Sequence, residues 1–194
     1  MKALKLTLLS VVILISAALP QQSVNKFNFE FNTGTSFGVN KLDGTGLNPG
    51  FGFEGSFSYR FMPHLSAYTG WGWNKLSADN SFAGPDICFE ETGYLFGLEF
   101  KHPLLNSDIS YFLRASGLFN HIEIENADGD IIEDSGHGLG WQVAAGVDIP
   151  LGAGLSITPG LKFNSLSRNI DLGGVERTLN YNYLSVRVGI TKAL

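Results

Sequence analysis

The feature that most constrains this chain is a strict alternation of apolar and polar residues. In the segment 27–39 the odd positions carry mainly phenylalanine and threonine, whereas the even positions include Asn28, Glu30 and Asn32. Because successive side chains of a β-strand point to opposite faces, this segment is predicted to be a strand with one apolar and one polar face. The apolar face carries more aromatic surface than a soluble sheet needs. We therefore expect it to meet hydrocarbon while the polar face lines an enclosed space.

Seven further segments alternate in the same way. Leu95, Phe112 and Leu118 are exceptions that place apolar side chains on the polar face, and Pro159 lacks a backbone donor and predicts a bulge. An open sheet edge in lipid would leave backbone groups unpaired, so the sheet has to close on itself. The prediction is an all-β fold, an eight-stranded antiparallel transmembrane up-and-down β-barrel. Its predicted strands cover 27–39, 51–61, 65–74, 91–101, 109–121, 139–149, 155–164 and 183–191.

The connections between these strands alternate in length. The second, fourth and sixth are short, whereas the first, third, fifth and seventh are longer and rich in Gly, Asn, Asp and Ser, the third being a loop from Ser77 to Cys88. Outer-membrane barrels have tight periplasmic turns and longer outer loops. We therefore expect both termini on the periplasmic side and the long loops outside the cell.

The N-terminus has the order of residues found in secretory signal peptides. Lys2 and Lys5 precede an uncharged run over 6–19, which is too short for the ~20 residues of a spanning helix. We predict a signal peptide over residues 1–20, without assigning its exact cleavage site, and a single barrel domain over 21–194. The single cysteine, Cys88, lies far from this run, so neither lipidation nor an internal disulfide is expected.

The signal segment, strand number, loop asymmetry and a strand close to Leu194 together resemble a known family. The chain is similar to the small eight-stranded outer-membrane barrels of Gram-negative bacteria, the porin-like family that includes the membrane domain of OmpA and the OmpX type. The resemblance implies contact with outer-membrane lipid and lipopolysaccharide, and assembly by the barrel assembly machinery. Many members end in an aromatic residue, where this chain has Leu194. Aromatic residues toward the predicted strand ends match an interfacial girdle: Tyr59, Phe61, Trp71, Trp73, Tyr111 and Trp141.

The predicted inward face carries ten charged residues, five of each sign. An eight-stranded barrel has an interior just wide enough for side chains, so we expect a plugged polar lumen and a structural or surface-interaction role through the outer loops. A narrow ion or small-solute pore is the alternative. With a net charge of -5 and no basic stripe, nucleic acid is not an expected partner, whereas an extracellular protein or surface ligand is. The inward charges are Glu30, Glu54, Glu91, Glu99, Asp148, Arg60, Lys101, Arg114, Lys162 and Arg187.

Two further classes remain as alternatives. A lipid-modifying barrel enzyme could use His64 with Ser66, whose spacing resembles that in lipid A deacylases, or His121 and His137 with Ser135 near the outer rim. We predict no enzyme, and assign no catalytic, cofactor-binding or metal-binding residues. A soluble lipocalin-like barrel would show the same alternation with the apolar face inside. The few charges on the polar faces favour a crowded lumen over a solvent surface.

The predicted fifth connection is dense in oxygen donors, which suit a hard cation such as Ca²⁺. Its glycine is out of register with the EF-hand pattern, so a solvated acidic loop is favoured and calcium binding is left open. The donors within 123–136 are Glu123, Glu125, Asn126, Asp128, Asp130, Glu133 and Asp134.

Overall fold

The computed structural model describes residues 26–105 and 107–194, so the predicted signal peptide lies outside the described residues. The described part contains no helix long and apolar enough to span a membrane. Within it the chain forms nine strands, β1 Phe27–Gly38, β2 Asn48–Met62, β3 Leu65–Ser81, β4 Gly84–Pro103, β5 Ser110–Glu125, β6 Ile131–Asp134, β7 Gly138–Gly152, β8 Leu155–Leu172 and β9 Val175–Ala193.

The strands close into a barrel. Each of the long strands pairs antiparallel with its neighbours in the chain, β5 pairs with β7, and β1 pairs with β9 from Asn28↔Ala193 to Gly38↔Tyr183. The short strand β6 pairs with β5 alone among the described strands and lies outside the ring. The ring therefore has eight strands, which confirms the predicted all-β antiparallel barrel. We call the end at which β1 begins and β9 ends the terminal end, and the opposite end the distal end.

Two of the predicted long loops are wrong. β3 and β4 continue in register to the pair Ser81↔Gly84, and β8 and β9 continue to Leu172↔Val175, so that only two residues close each hairpin. Gly173 and Gly174 form the second turn with φ of 64° and 82°, where glycine is favoured. Cys88, predicted in a loop, lies in β4. At these two hairpins, the two ends of the barrel therefore differ because the strands extend further at the distal end, and not because the loops there are longer.

Pro159 does not form the predicted bulge. It pairs with Val188 of β9, and the β7–β8 register is the same before and after it, at Gly146↔Gly160 and Ile149↔Ile157. A missing N–H interrupts the ladder locally but does not by itself insert a residue. The register shift in this hairpin lies between Pro150 and Gly152, next to the turn.

Over the terminal two thirds of the barrel, the outward side chains are apolar and exposed. On β9 this surface is bounded by Lys192 and Asn182, a stretch of about 34 Å along the strand, or about 24 Å in height at the tilt of about 45° usual in such barrels. That height fits a membrane. We call this surface the apolar band; it includes Phe27, Phe29, Phe31, Phe51, Phe57, Tyr59, Trp71, Tyr94, Phe96, Leu98, Leu113, Phe119, Leu139, Trp141, Val143, Leu161, Leu184, Val186, Val188 and Ile190.

Beyond the apolar band the polarity of the wall reverses. Most inward positions become apolar and buried, whereas the outward positions become polar, as at Lys75, Glu90 and Asp171. In this distal third the apolar side chains face inward, as in the soluble barrel considered above. In the apolar band they face outward. Trp71 and Trp73 lie mid-strand, at the border between the two layers. We call the buried apolar cluster the distal core; it comprises Leu42, Leu76, Ala78, Ile87, Phe89, Ile122, Ile124, Leu166, Ile170, Leu179 and Tyr181.

Candidate functional site: the lumen and the distal rim

The lumen inside the apolar band is filled by ion pairs. The guanidinium of Arg114 on β5 donates from Nη1 and Nη2 to both carboxylate oxygens of Glu30, at 2.8 and 2.6 Å, and from Nε to Glu99 at 2.7 Å. Period-two alternation brings these side chains from β1, β4 and β5 to one level of the lumen. Paired carboxylates on both sides of one guanidinium form a cross-link through the barrel.

A second network surrounds Glu54 of β2. Lys162 Nζ lies 2.6 Å from Glu54 Oε2, and Gln142 donates an amide hydrogen bond to the same oxygen at 3.2 Å. Lys162 and Glu54 are both almost fully buried. Nearer the distal end Glu91 accepts hydrogen bonds from Asn120 and from the hydroxyl of Tyr183.

The predicted inward charges therefore do meet in the lumen. Lys101 pairs with Asp148 at 2.5 Å, and Arg187 donates to Asn74 Oδ1 at 2.9 Å. Arg60 lies in the same row at the terminal end and is partly exposed. The three apolar exceptions, Leu95, Phe112 and Leu118, are buried inside.

Little free volume remains in the described lumen. Three small cavities among the lumen side chains measure about 10 Å³ beside Glu91 and about 20 Å³ each in the two beside Arg114, and one water needs roughly 10–15 Å³. Above them, the fully buried side chains of Leu76, Phe89 and Leu179 in the distal core occupy the cross-section. Side chains thus fill the lumen, and apolar packing closes it at the distal end.

Arg168 is a buried charge that sequence reasoning missed. It faces inward from β8, is 5% exposed, and binds backbone carbonyls instead of a carboxylate. Its guanidinium donates to Asn120 O at 2.8 Å, Gly138 O at 2.5 Å, Leu139 O at 2.8 Å and Ser167 O at 2.8 Å. The signal was available, because Arg168 shares the even parity of Lys162 and Asn164, but the predicted strand ended at residue 164.

Charged residues form a transverse row on the outer surface of the distal rim. The pairs Lys75↔Glu90, Glu90↔Glu123 and Glu123↔Asp134 place four charged residues side by side across β3, β4, β5 and β6. Lys75 Nζ lies 3.5 Å from Glu90 and also contacts Glu125. The row contains three carboxylates and one ammonium group, so one end is negative.

His121 lies at that negative end, two residues before Glu123 on the same face of β5. Its Nδ1 is 3.0 Å from Asp134 Oδ1 and 3.8 Å from Glu123 Oε1. Partial burial works against ionisation of Asp134, but hydrogen bonds from the Gly136 N–H and the His121 ring outweigh it and hold the pKa of that carboxyl below its usual 3.8. Asp134 is therefore an anion at neutral pH.

In the turn that sequence reasoning compared with a calcium loop, the side-chain oxygen of Asn126 is engaged by the backbone of the turn itself. Asn126 Oδ1 accepts hydrogen bonds from the backbone N–H groups of Asp128 at 3.0 Å and Asp130 at 2.9 Å. Such a side chain closes the β5–β6 hairpin as an Asx turn. Asp128 and Asp130 are exposed, and Asp130 Oδ2 accepts a hydrogen bond from the Asn126 amide at 3.4 Å.

The histidine and serine candidates are not assembled as a nucleophile with its base. His64 Nδ1 hydrogen-bonds Lys101 O at 2.9 Å, whereas Ser66 is buried in the lumen. The rings of His121 and His137 stack with centroids 4.4 Å apart, but the Ser135 hydroxyl donates to Gly136 O and accepts from the Ile122 N–H. The hydroxyl is thus engaged by the backbone.

Comparison with known proteins agrees with this geometry. Neisserial surface protein A is similar in fold at a TM-score of 0.64 and 15% identity over 89% of this chain and 100% of that one. Outer membrane protein W of E. coli gives 0.56 and 11% over 89% and 100%. OprG of Pseudomonas aeruginosa gives 0.55 and 12% over 90% and 100%. No curated protein is similar enough to be matched.

The family comparison covers nearly the whole chain. The model of the outer membrane protein beta-barrel domain matches residues 6–191, and homologues of this kind imply a location in the outer membrane. This match agrees with the two main features of the fold, the closed ring of eight strands and the lipid-facing apolar band. The chain therefore belongs to the outer membrane protein beta-barrel domain family.

Proposed function

We propose that this protein is a non-enzymatic barrel of the outer membrane that acts as a surface platform and not as a pore. The observation that carries the proposal is the distal core, which fills the barrel above an ion-paired lumen whose cavities hold about one water each. A barrel closed in this way can still present its distal rim to a partner.

The chemistry of the rim supports an interaction role. Its outward and turn positions are mostly carboxylates, amides and hydroxyls, with Lys75 as a charge-compensating cation at the acidic row. We infer that the rim faces the outside of the cell and that both termini lie in the periplasm. Lipopolysaccharide at the rim, an extracellular protein or surface ligand, and the barrel assembly machinery are the proposed partners.

Electrical recording tests closure directly. Refolded protein in a planar lipid bilayer should give no steady conductance in 1 M potassium chloride. A control variant, Phe89→Ser with Leu76→Ser, would place two hydroxyls in the distal core and make that core permeable to water. A reproducible unitary conductance from the unaltered protein would contradict the proposal and favour the narrow pore.

Surface labelling tests the orientation. In a Cys88→Ser background, we compare Asp128→Cys at the distal rim with Leu105→Cys at the terminal end; both positions are exposed. A membrane-impermeant maleimide added to intact cells should label the cysteine at position 128 and leave the one at position 105 unlabelled. The reverse pattern would place the termini outside.

A further inference from the structure

We propose that His121, Glu123 and Asp134 form a binding site for a divalent transition metal, best suited to Zn²⁺, at the distal rim. His121 and Glu123 are positions i and i+2 on one face of β5, and the pairing Glu123↔Asp134 brings the third donor from β6 onto that face. The Nδ1 atom and one oxygen of each carboxylate all lie within 4.8 Å of one another.

The spacing suits tetrahedral coordination. Bonds of about 2.0–2.2 Å to zinc separate neighbouring ligand atoms by roughly 3.3–3.6 Å. The His121 Nδ1 lies 3.0 Å from Asp134 and 3.8 Å from Glu123, on either side of that range. Side chains that are 15%, 20% and 46% exposed can adjust by a few tenths of an ångström, and a water would complete a set of four ligands.

Charge provides an independent reason for a cation. Carboxylates placed directly opposite each other across a strand pair repel, and Glu123 lies between Glu90 on one side and Asp134 on the other. Lys75 reaches Glu90 and Glu125 but neither Glu123 nor Asp134. A divalent ion bound by Glu123 and Asp134 would neutralise both.

The donor set selects the class of metal. Imidazole nitrogen suits zinc, copper or nickel, whereas calcium prefers six to eight oxygens. His137 stacks on His121 and would hold the orientation of that ring without itself binding the ion. Coordination through Nδ1 requires the tautomer of the His121 ring that carries its proton on Nε2.

β6 contributes little apolar packing, which fits a segment held by a ligand. Its two isoleucines, Ile131 and Ile132, are 56% and 41% exposed, and the strand pairs with β5 alone within the described chain. A metal bridging Glu123 and Asp134 would therefore join β6 to the barrel wall by a bond outside the backbone ladder.

Calorimetric titration with zinc chloride tests the site. The full mature chain is used without a histidine tag and with His102→Ala, because the stacked pair His64 and His102 at the terminal end is a competing zinc ligand pair. We expect one saturable zinc ion and no heat from calcium chloride at the same concentrations. Heat-modifiable gel migration verifies that each variant is folded.

Ligand variants decide the assignment. His121→Ala, Glu123→Gln and Asp134→Asn should each weaken zinc binding at least about tenfold, which is the smallest loss usual for groups that support a metal site. Glu133→Gln is the matched control, because it lies on β6 opposite Ile124, on the other face, and should bind as the parent does. Absence of saturable zinc binding, binding that survives in all three ligand variants, or an equal loss in the control would overturn the proposal.

Discussion

At the scale of single residues, Arg168 binds backbone carbonyls at the point where the pairing of β5, β7 and β8 ends. The last rungs between β5, β7 and β8 are Asn120↔Gly138 and Gly140↔Leu166, and the guanidinium sits just beyond both. Its planar fork meets carbonyls of three strands at once, which a lysine ammonium cannot reproduce. The side chain thus donates to backbone carbonyls where the paired region of these strands ends.

We expect Arg168→Leu to lower the free energy of unfolding by about 3 kcal/mol, because several buried carbonyls lose a charged donor. Arg168→Lys should recover only part of this. Equilibrium urea unfolding in detergent micelles measures both. Arg177→Leu is the control, because its pair with Asp43 is one third exposed and should contribute no more than about 1 kcal/mol. Equal effects at the two sites would contradict the assigned role of Arg168.

The lumen lysines differ in burial and should differ in effect. Lys162→Met leaves Glu54 as a buried, unpaired charge and should destabilise the barrel by about 3 kcal/mol or more. Lys101→Met, whose side chain is 30% exposed near the terminal end, should be milder. Adding Glu54→Gln to Lys162→Met should restore part of the loss in the same unfolding measurement. A double variant no more stable than Lys162→Met alone would argue against a direct pair.

At the scale of the strand, side chains continue to alternate between inward and outward along the whole wall. The apolar side chains, however, change from the outward to the inward positions. On β3 the outward Trp71 and Trp73 give way to the inward Leu76 and Ala78, and on β5 the outward Phe119 gives way to the inward Ile122. In sequence this appears as a one-residue shift in the phase of the apolar residues. The shift marks where the wall leaves hydrocarbon.

An arginine scan of outward positions tests this boundary. Val143→Arg and Val186→Arg lie in the apolar band and should each destabilise the barrel by ~2 to 4 kcal/mol and impair insertion. Ser167→Arg, outward on the distal part of β8, should change stability little, and the inward Gln142→Ala should be milder than either valine variant. Folded yield in lipid vesicles and urea unfolding measure the effect. If Ser167→Arg were as harmful as Val143→Arg, the boundary would be misplaced.

The alternation was sufficient to predict the ring, because period two is a local property of each strand and closure follows from the lipid environment. It predicted which charges face inward, including Glu30 and Arg114. It did not predict the distal extension, because residues such as Ser77 and Asp79 look like loop residues when the membrane face is expected to be apolar. Nor could it find the row at Glu123 and Asp134, since that depends on the register of β6.

At the scale of the whole molecule, the ladder closes on itself without a free edge in the apolar band. Such a barrel should resist dodecyl sulfate at room temperature and unfold on boiling, so the unheated protein should migrate faster on a gel than the heated one. A single band at the same position before and after heating would contradict a closed barrel.

The border between the apolar band and the distal third also sets how deeply the protein sits in its bilayer. If the barrel moved deeper into the bilayer, Lys75, Glu90 and Asp171 would lie among acyl chains. If it moved outward, Trp71 and Phe96 would be exposed to water. Both displacements are unfavourable, so the immersion level is fixed by the wall itself. The distal rim is thereby held at a constant height above the lipid, where a neighbouring molecule would always meet the same ring of side chains.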